Sequence, residues 1–360
     1  MRFEPVDRPP NFEMGAWGQA RERWIGEGMP AQVADEISFH GMPFFGIERR
    51  GFCQVNYGMK PPFEQEVLEE DDRHVVLRDS GGIVRRALKE GTVRGTRASM
   101  DQYLSFPVTD RASFENVKKR YDPSDPERYP ANWPQLVEGY CDRDYPLCLV
   151  PNACTGLYST PRRWMGTEAT CLMFYDDPRL MHEMLDFIAD FIIEAAARAL
   201  QDVEVDYFNW FEDFAFKTGP LVSPPIFKEF LLPRYKRVND HLRSHGVDII
   251  LLDSDGNCDV LIPLLLEAGI NGIWPLEVAA GNDPRTLRKE YGHDLTLSGG
   301  IDKRALARDR KAIEDEVMAK IPPLMADGGY IPTIDHTVPP DVPYENFRYY
   351  LEVKMKAMEG

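Results

Sequence analysis

The chain is short of positive charge: 42 lysines and arginines face 59 aspartates and glutamates, leaving a formal net charge of -17. Binding to phosphate needs a basic face, so nucleic acid is not an expected partner, and an anionic membrane surface is disfavoured for the same reason. Long hydrophobic runs are also lacking. No apolar stretch reaches membrane-spanning length, and Met1-Arg2-Phe3-Glu4-Pro5-Val6-Asp7 has no apolar core of the signal-peptide kind. Cysteines number six (Cys53, Cys141, Cys148, Cys154, Cys171, Cys258), with no CxxC pair and no zinc-ribbon spacing. Scattered thiols without a secretion signal point to a reducing cytoplasm. Missing too are a GxSxG nucleophile elbow, a P-loop, an HExxH helix and a GxGxxG turn after any strand. The commonest serine-hydrolase, nucleotide-phosphate and dinucleotide readings therefore have no motif to rest on.

What is present is regularity. At 360 residues, with 43% hydrophobic and 28% charged content, the chain has material for two average domains or one large α/β barrel. From about residue 145 strand-like and helix-like segments alternate. Leu147–Val150 leads to a helix over Pro178–Leu200, capped by Asp177 with proline just inside. Val205–Trp210 leads to a helix opened by Ser223-Pro224 and stopped by Gly246, in which Pro233 predicts a kink or break. Val247–Leu252, Gly272–Leu276, Leu295–Ser298 and Tyr330–Ile334 follow: the first runs through a Gly-containing turn into another helix, and the other three lead to one capped by Asp283-Pro284, one running through Ile313 and Val317, and a last one beginning near Pro343. Such alternation implies parallel strands with helical crossovers. Six units, with two more expected from the N-terminal part (Pro9–Glu13 as a strand, Trp17–Trp24 as a helix), favour a closed (β/α)8 TIM barrel over an open doubly wound sheet. The whole chain 1–360 reads as a single domain, with about 60–100 forming an inserted hairpin flap turned at Ser80-Gly81-Gly82.

In such a barrel the site lies at the C-terminal ends of the strands. Those ends carry Asn152, Glu212-Asp213, Asp253-Ser254-Asp255, Glu277, Asp302 and Asp335-His336. Loops and helix starts favour acids in any case, which accounts for Asp302. Glu277 follows its strand directly, six residues ahead of its own helix cap, and is less easily explained that way. If extended geometry lasts through Asp255, Asp253 and Asp255 face one spot, and crowded carboxylates need a cation, a proton or a metal. His336 is the histidine at a strand end. Asp253, Asp255 and His336 are thus candidate N/O ligands for a divalent metal, zinc or another. Glu212, Glu277 and His336 are candidate acid/base groups, and Asn152, Asp213, Tyr207 and Asp335 candidate substrate contacts. Arg162-Arg163 fits either an acidic ligand or a helix surface, and the aromatic run from Tyr207 to Phe216 either a planar ligand or the core.

Three segments resemble the uroporphyrinogen decarboxylase superfamily, which includes methyltransferases that move methyl groups between corrinoid proteins and thiols such as coenzyme M. Asp335-His336-Thr337-Val338-Pro339-Pro340-Asp341-Val342-Pro343-Tyr344-Glu345-Asn346 is similar to the decarboxylase G-H-G-(I or V)-x-P-x-x-x-P-E segment. Leu297-Ser298-Gly299-Gly300-Ile301-Asp302 resembles the family's seventh strand end and Trp274-Pro275-Leu276-Glu277 its sixth. The resemblance implies a TIM barrel and carries the eighth-strand histidine over as His336. The decarboxylase R-Q-A-G-R-Y and F-S-D-I-L motifs are absent. In the methyltransferase branch a His-x-Cys pair and a cysteine hold zinc, and Asp253, Asp255 and His336 stand at those positions. The resemblance therefore implies a metal-assisted methyltransferase, with a small methylated substrate, a corrinoid protein and a second copy of the chain as candidate partners. Porphyrinogen decarboxylation and a barrel that binds without catalysing stand as the alternatives.

Overall fold

Seven parallel strands, 51–52, 147–148, 207–211, 249–253, 272–274, 296–298 and 330–331, follow one another in sequence order across one curled sheet. This computed structural model describes residues 1–4, 6–97, 99–150 and 155–359. Every strand from 147 onward is joined to the next by helix, as parallel neighbours require, and the result is an α/β fold of the TIM-barrel type. The strands are paired in register, with Asn209 beside Leu251 and Leu252 beside Ile273. Alternation then sorts the side chains. Tyr207, Asn209, Ile249 and Leu251 line the space inside the sheet, while Phe208, Trp210, Ile250 and Leu252 are fully buried beneath the helices.

The local punctuation works as the sequence indicates. The Asp177 carboxylate caps Pro178–Asp202 by accepting from Leu180 N at 3.0 Å. Asp283 caps Pro284–Tyr291 in the same manner. Pro233 does break its helix: a π-helical turn, Phe227–Leu231, absorbs the mismatch, and Pro233 sits in the first turn of a new helix, Leu232–Ser244, where a missing N–H costs nothing. One helix differs from expectation. The segment after Ser298 is two helices, Lys303–Leu306 and Arg310–Asp327, because Asp302 and Asp309 each cap a separate start.

The N-terminal part supplies one strand to the sheet, 51–52, rather than two. Residues 66–105 form a four-stranded antiparallel sheet of their own, 66–70, 74–78, 84–88 and 102–105, with the first turn after Arg78 closed by Gly82 N donating to Asp79 O. The expected first strand near Pro9–Glu13 is not a strand; two prolines without N–H groups cannot support a ladder there. The segment nevertheless lies between the two ends of the sheet. Trp17 N and Val338 N exchange bonds with Val338 O and Gly15 O at 3.0 Å, and Glu48 N donates to Asn11 O at 2.9 Å. Side chains complete this seam. Glu13 Oε2 accepts from Ile334 N at 3.0 Å, and its Oε1 from Lys354 Nζ at 2.8 Å and the Tyr350 hydroxyl at 2.7 Å. Glu13 and Lys354 are almost fully buried, so a buried ion pair ties the N-terminal segment to the last helix, Tyr344–Glu359. No helix among the described residues is long and apolar enough to cross a membrane.

Candidate functional site

The strand that ends at Asp253 turns through Ser254, Asp255 and Gly256, and this turn builds one wall of the mouth. Gly256 is required there: its φ is +81°, and a Cβ would meet Ala215 O at 2.5 Å. Extended geometry stops at Asp253, and the two carboxylates take different environments. Asp253 is buried, and burial, then the Asp213 and Asp255 carboxylates, push its carboxyl well above the usual range. Asp255 is more open, and its Oδ2 lies 3.5 Å from Nε2 of His336. Burial pulls the His336 imidazole down, but the hydrogen bond and charge of Asp255 outweigh it and the net shift is upward.

Lys303 occupies the neighbouring corner. Its Nζ stands 3.5 Å from Glu277 Oε1 and 3.4 Å from Asp335 Oδ1, and Glu277 Oε2 accepts from Gly256 N at 3.1 Å. Glu277 therefore links the Gly256 turn to the lysine. On the far side Arg162 donates to Asp213 Oδ2 at 3.3 Å and to Asp213 O at 3.1 Å, while Asp255 N donates to Asp213 Oδ1 at 3.4 Å. Asp213 and Leu276 hold φ of +47° and +62° without being glycine. Such backbone costs of order 1–3 kcal/mol each and clusters at functional sites; here both residues adjoin the carboxylates of the mouth.

Several expected roles change. Glu212 is no acid or base at the mouth. It is fully buried, and its carboxylate takes the backbone N–H groups of Leu157, Tyr158 and Ser159 at 2.6–2.9 Å together with the Tyr235 hydroxyl. Burial raises it to about 7 against the pull of those four donors. Its work is to fix the start of the helix Ser159–Met165, which delivers Arg162. Asp335 is not a substrate contact either. Completely buried, it accepts from Val278 N and Lys303 N, each at 3.0 Å, and so pins three strand-end loops together. Tyr207 stands at the start of its strand and lines the barrel interior instead of the mouth. Asn152 lies outside the described residues.

Asp255 and His336 come together as expected, but Asp253 does not join them as a third ligand. Among the described residues no group of three histidines, cysteines, aspartates or glutamates is arranged to hold a metal ion. Among the described residues the donor set therefore does not fit a resident divalent metal. Lys303 was missed in the sequence, although it directly follows the helix-capping Asp302 at a strand end. For Arg162 the sequence left an acidic ligand and a helix surface both open, because nothing local shows that Glu212 aims its helix at Asp213.

Comparison with known proteins agrees with this architecture. Residues 154–356 match the uroporphyrinogen decarboxylase (URO-D) family. A uroporphyrinogen decarboxylase of Campylobacter jejuni (strain RM1221) is 27% identical over 197 residues, 51% of this chain and 51% of that protein. The corresponding enzyme of Danio rerio is 26% identical over 221 residues, 57% of this chain and 52% of that protein. The chain thus spans about half the length of the curated relatives it matches. A solved methyltransferase from Methanosarcina mazei superposes with a TM-score of 0.62 at 16% identity, covering 99% of this chain and 96% of that one, a likeness of fold. The chain belongs to the uroporphyrinogen decarboxylase (URO-D) family.

Proposed function

We propose that the chain is an enzyme that removes a methyl group from a small, neutral or weakly polar methylated compound, with His336 supplying the proton that the departing group needs. The observation that carries this is the Asp255–His336 pair at 3.5 Å, in a mouth where Arg162 and Lys303 already face carboxylates. When a methyl–oxygen or methyl–nitrogen bond breaks, its electron pair stays on oxygen or nitrogen, and protonation there speeds the departure. An imidazolium held charged by a carboxylate is suited to that transfer, and its partly open face lets solvent restore the proton. Glu277, fixed by Lys303 and Gly256 N, is placed to accept a hydrogen bond from the substrate. The methyl group passes to a nucleophilic acceptor, for which a corrinoid carried by a partner protein is the candidate. The step as written needs no resident metal.

Charge argues against a polyanionic porphyrinogen. Arg162, Lys303 and His336 each already face a carboxylate, so a substrate with many carboxylates meets acids without a spare cation among these three. Decarboxylation remains the second reading, favoured by the half-length similarity to decarboxylases; there the same imidazolium would protonate carbon after carbon dioxide leaves. To separate the two, the protein is given free cob(I)alamin with a panel of aryl methyl ethers and N-methylanilines, and separately uroporphyrinogen. Methylation of the cobalamin, lost in His336→Gln, is expected. Carbon dioxide release from uroporphyrinogen with no methyl transfer would overturn the proposal, as would saturable binding of a panel member with no turnover in either assay.

A further inference from the structure

A TIM-barrel interior is normally filled by layers of side chains, yet this one holds a partly open cavity of about 190 Å³. It runs from Tyr207 and Ile249 at the strand starts to Trp274 and Ser298 near their ends. Phe12, Phe39, Leu251 and Trp274 give it apolar walls. Two polar side chains in the lining have donors left over. Arg50, 8% exposed, gives Nε to Phe39 O at 2.7 Å and Nη2 to Glu13 O at 2.6 Å, and lies 3.3 Å from the Phe39 ring centroid. Its guanidinium forms no ion pair among the described residues. Burial lowers it only to about 10, so it stays cationic at neutral pH. The carboxyl groups of Glu13 and Asp253 act from nearby to favour its charge, but neither side chain is in ion-pair contact with it.

Asn209, 3% exposed, is the second. Its Oδ1 accepts from Trp274 Nε1 at 2.7 Å. An indole N–H can only donate, so the amide orientation is fixed and the other end must be the NH2. That Nδ2 makes no full hydrogen bond among the described residues, and the group it faces is the buried Asp253 carboxyl, which is held well above its usual range. Both leftover groups are donors, one of them charged. Asp206, at the lower end of the cavity, is already bound by Arg143 and Leu147 N at 2.7 Å each.

We propose that the barrel interior is a binding site for a small monocarboxylic acid with a one-ring or short branched apolar body. Its carboxylate is held by Arg50 and Asn209 and its body by Phe12, Phe39 and Trp274. Size sets the class: a cavity of roughly 150 Å³ holds benzene, so this one takes a benzoate-sized acid and is far too small for a tetrapyrrole. The site is separate from the Asp255–His336 mouth and stands whatever reaction runs there.

Titration of the full chain with benzoate, read by calorimetry and by tryptophan fluorescence, tests the proposal against benzyl alcohol as the uncharged analogue. Saturable benzoate binding in or below the millimolar range is expected, with benzyl alcohol at least about tenfold weaker. Arg50→Gln should abolish that preference. Leu251→Phe, which fills the cavity and leaves Arg50 in place, should weaken benzoate by about tenfold or more, and it serves if Arg50→Gln fails to fold. Absence of saturable binding, equal affinity for the two compounds, or benzoate binding indifferent to Leu251→Phe would each overturn the proposal.

Discussion

Lys354→Met is expected to destabilise the chain by about 3–5 kcal/mol, because it strands the Glu13 carboxylate in a site with almost no access to water. The remaining donors to Glu13, the Tyr350 hydroxyl and Ile334 N, do not neutralise a charge. Adding Glu13→Gln removes that charge while keeping an acceptor oxygen, so the double variant should recover most of the loss. Urea unfolding followed by circular dichroism measures both. A single variant within about 0.5 kcal/mol of the parent, the range of an ordinary surface substitution, would show that the seam between the N-terminal segment and the last helix does not depend on this pair.

The second large effect is on rate. His336→Gln should lower kcat/KM for methyl transfer by roughly 10²–10⁴-fold, the usual worth of a positioned general acid. The ring is partly exposed and packs into no hydrophobic core, which predicts little change in stability, and unfolding under the same conditions checks that. Loss of activity with a matching loss of folded protein would move His336 from the reaction to the scaffold.

The parts of this account that were legible in the sequence are those written locally. Apolar runs bounded by Asp-Pro caps and glycine stops mark the six strands from residue 147 onward, and Asp177, Asp283 and Gly246 do what their types and positions imply. The break at Pro233 is equally local, since a proline inside a helical pattern lacks an N–H wherever it occurs. The seam was not legible. Glu13 and Lys354 meet across 341 positions, and no spacing rule connects them. The site was half legible for the same reason. Strand-end position singled out Asp255, Glu277 and His336, while the buried stapling roles of Glu212 and Asp335 depend on backbone amides from other loops. Lys303 and Arg162 gain meaning only once those staples set their helices. The pairing of Asp253 with Asp255 was inferred from strand alternation, and it fails because the strand stops at Asp253, two residues short of Asp255.

The central claim is that His336 acts as a proton donor held charged by Asp255, and the pH dependence of kcat/KM tests it most directly. The His336 imidazole lies above its ordinary value in the folded chain, so the active imidazolium is present below that raised pKa and is lost as pH climbs through it. The profile should therefore fall on its alkaline side. In Asp255→Asn the supporting charge is gone, burial then dominates, and the fall should move to lower pH with a reduced plateau. An alkaline limb that stays in place in Asp255→Asn, or a profile with no such limb in the parent, would contradict the account.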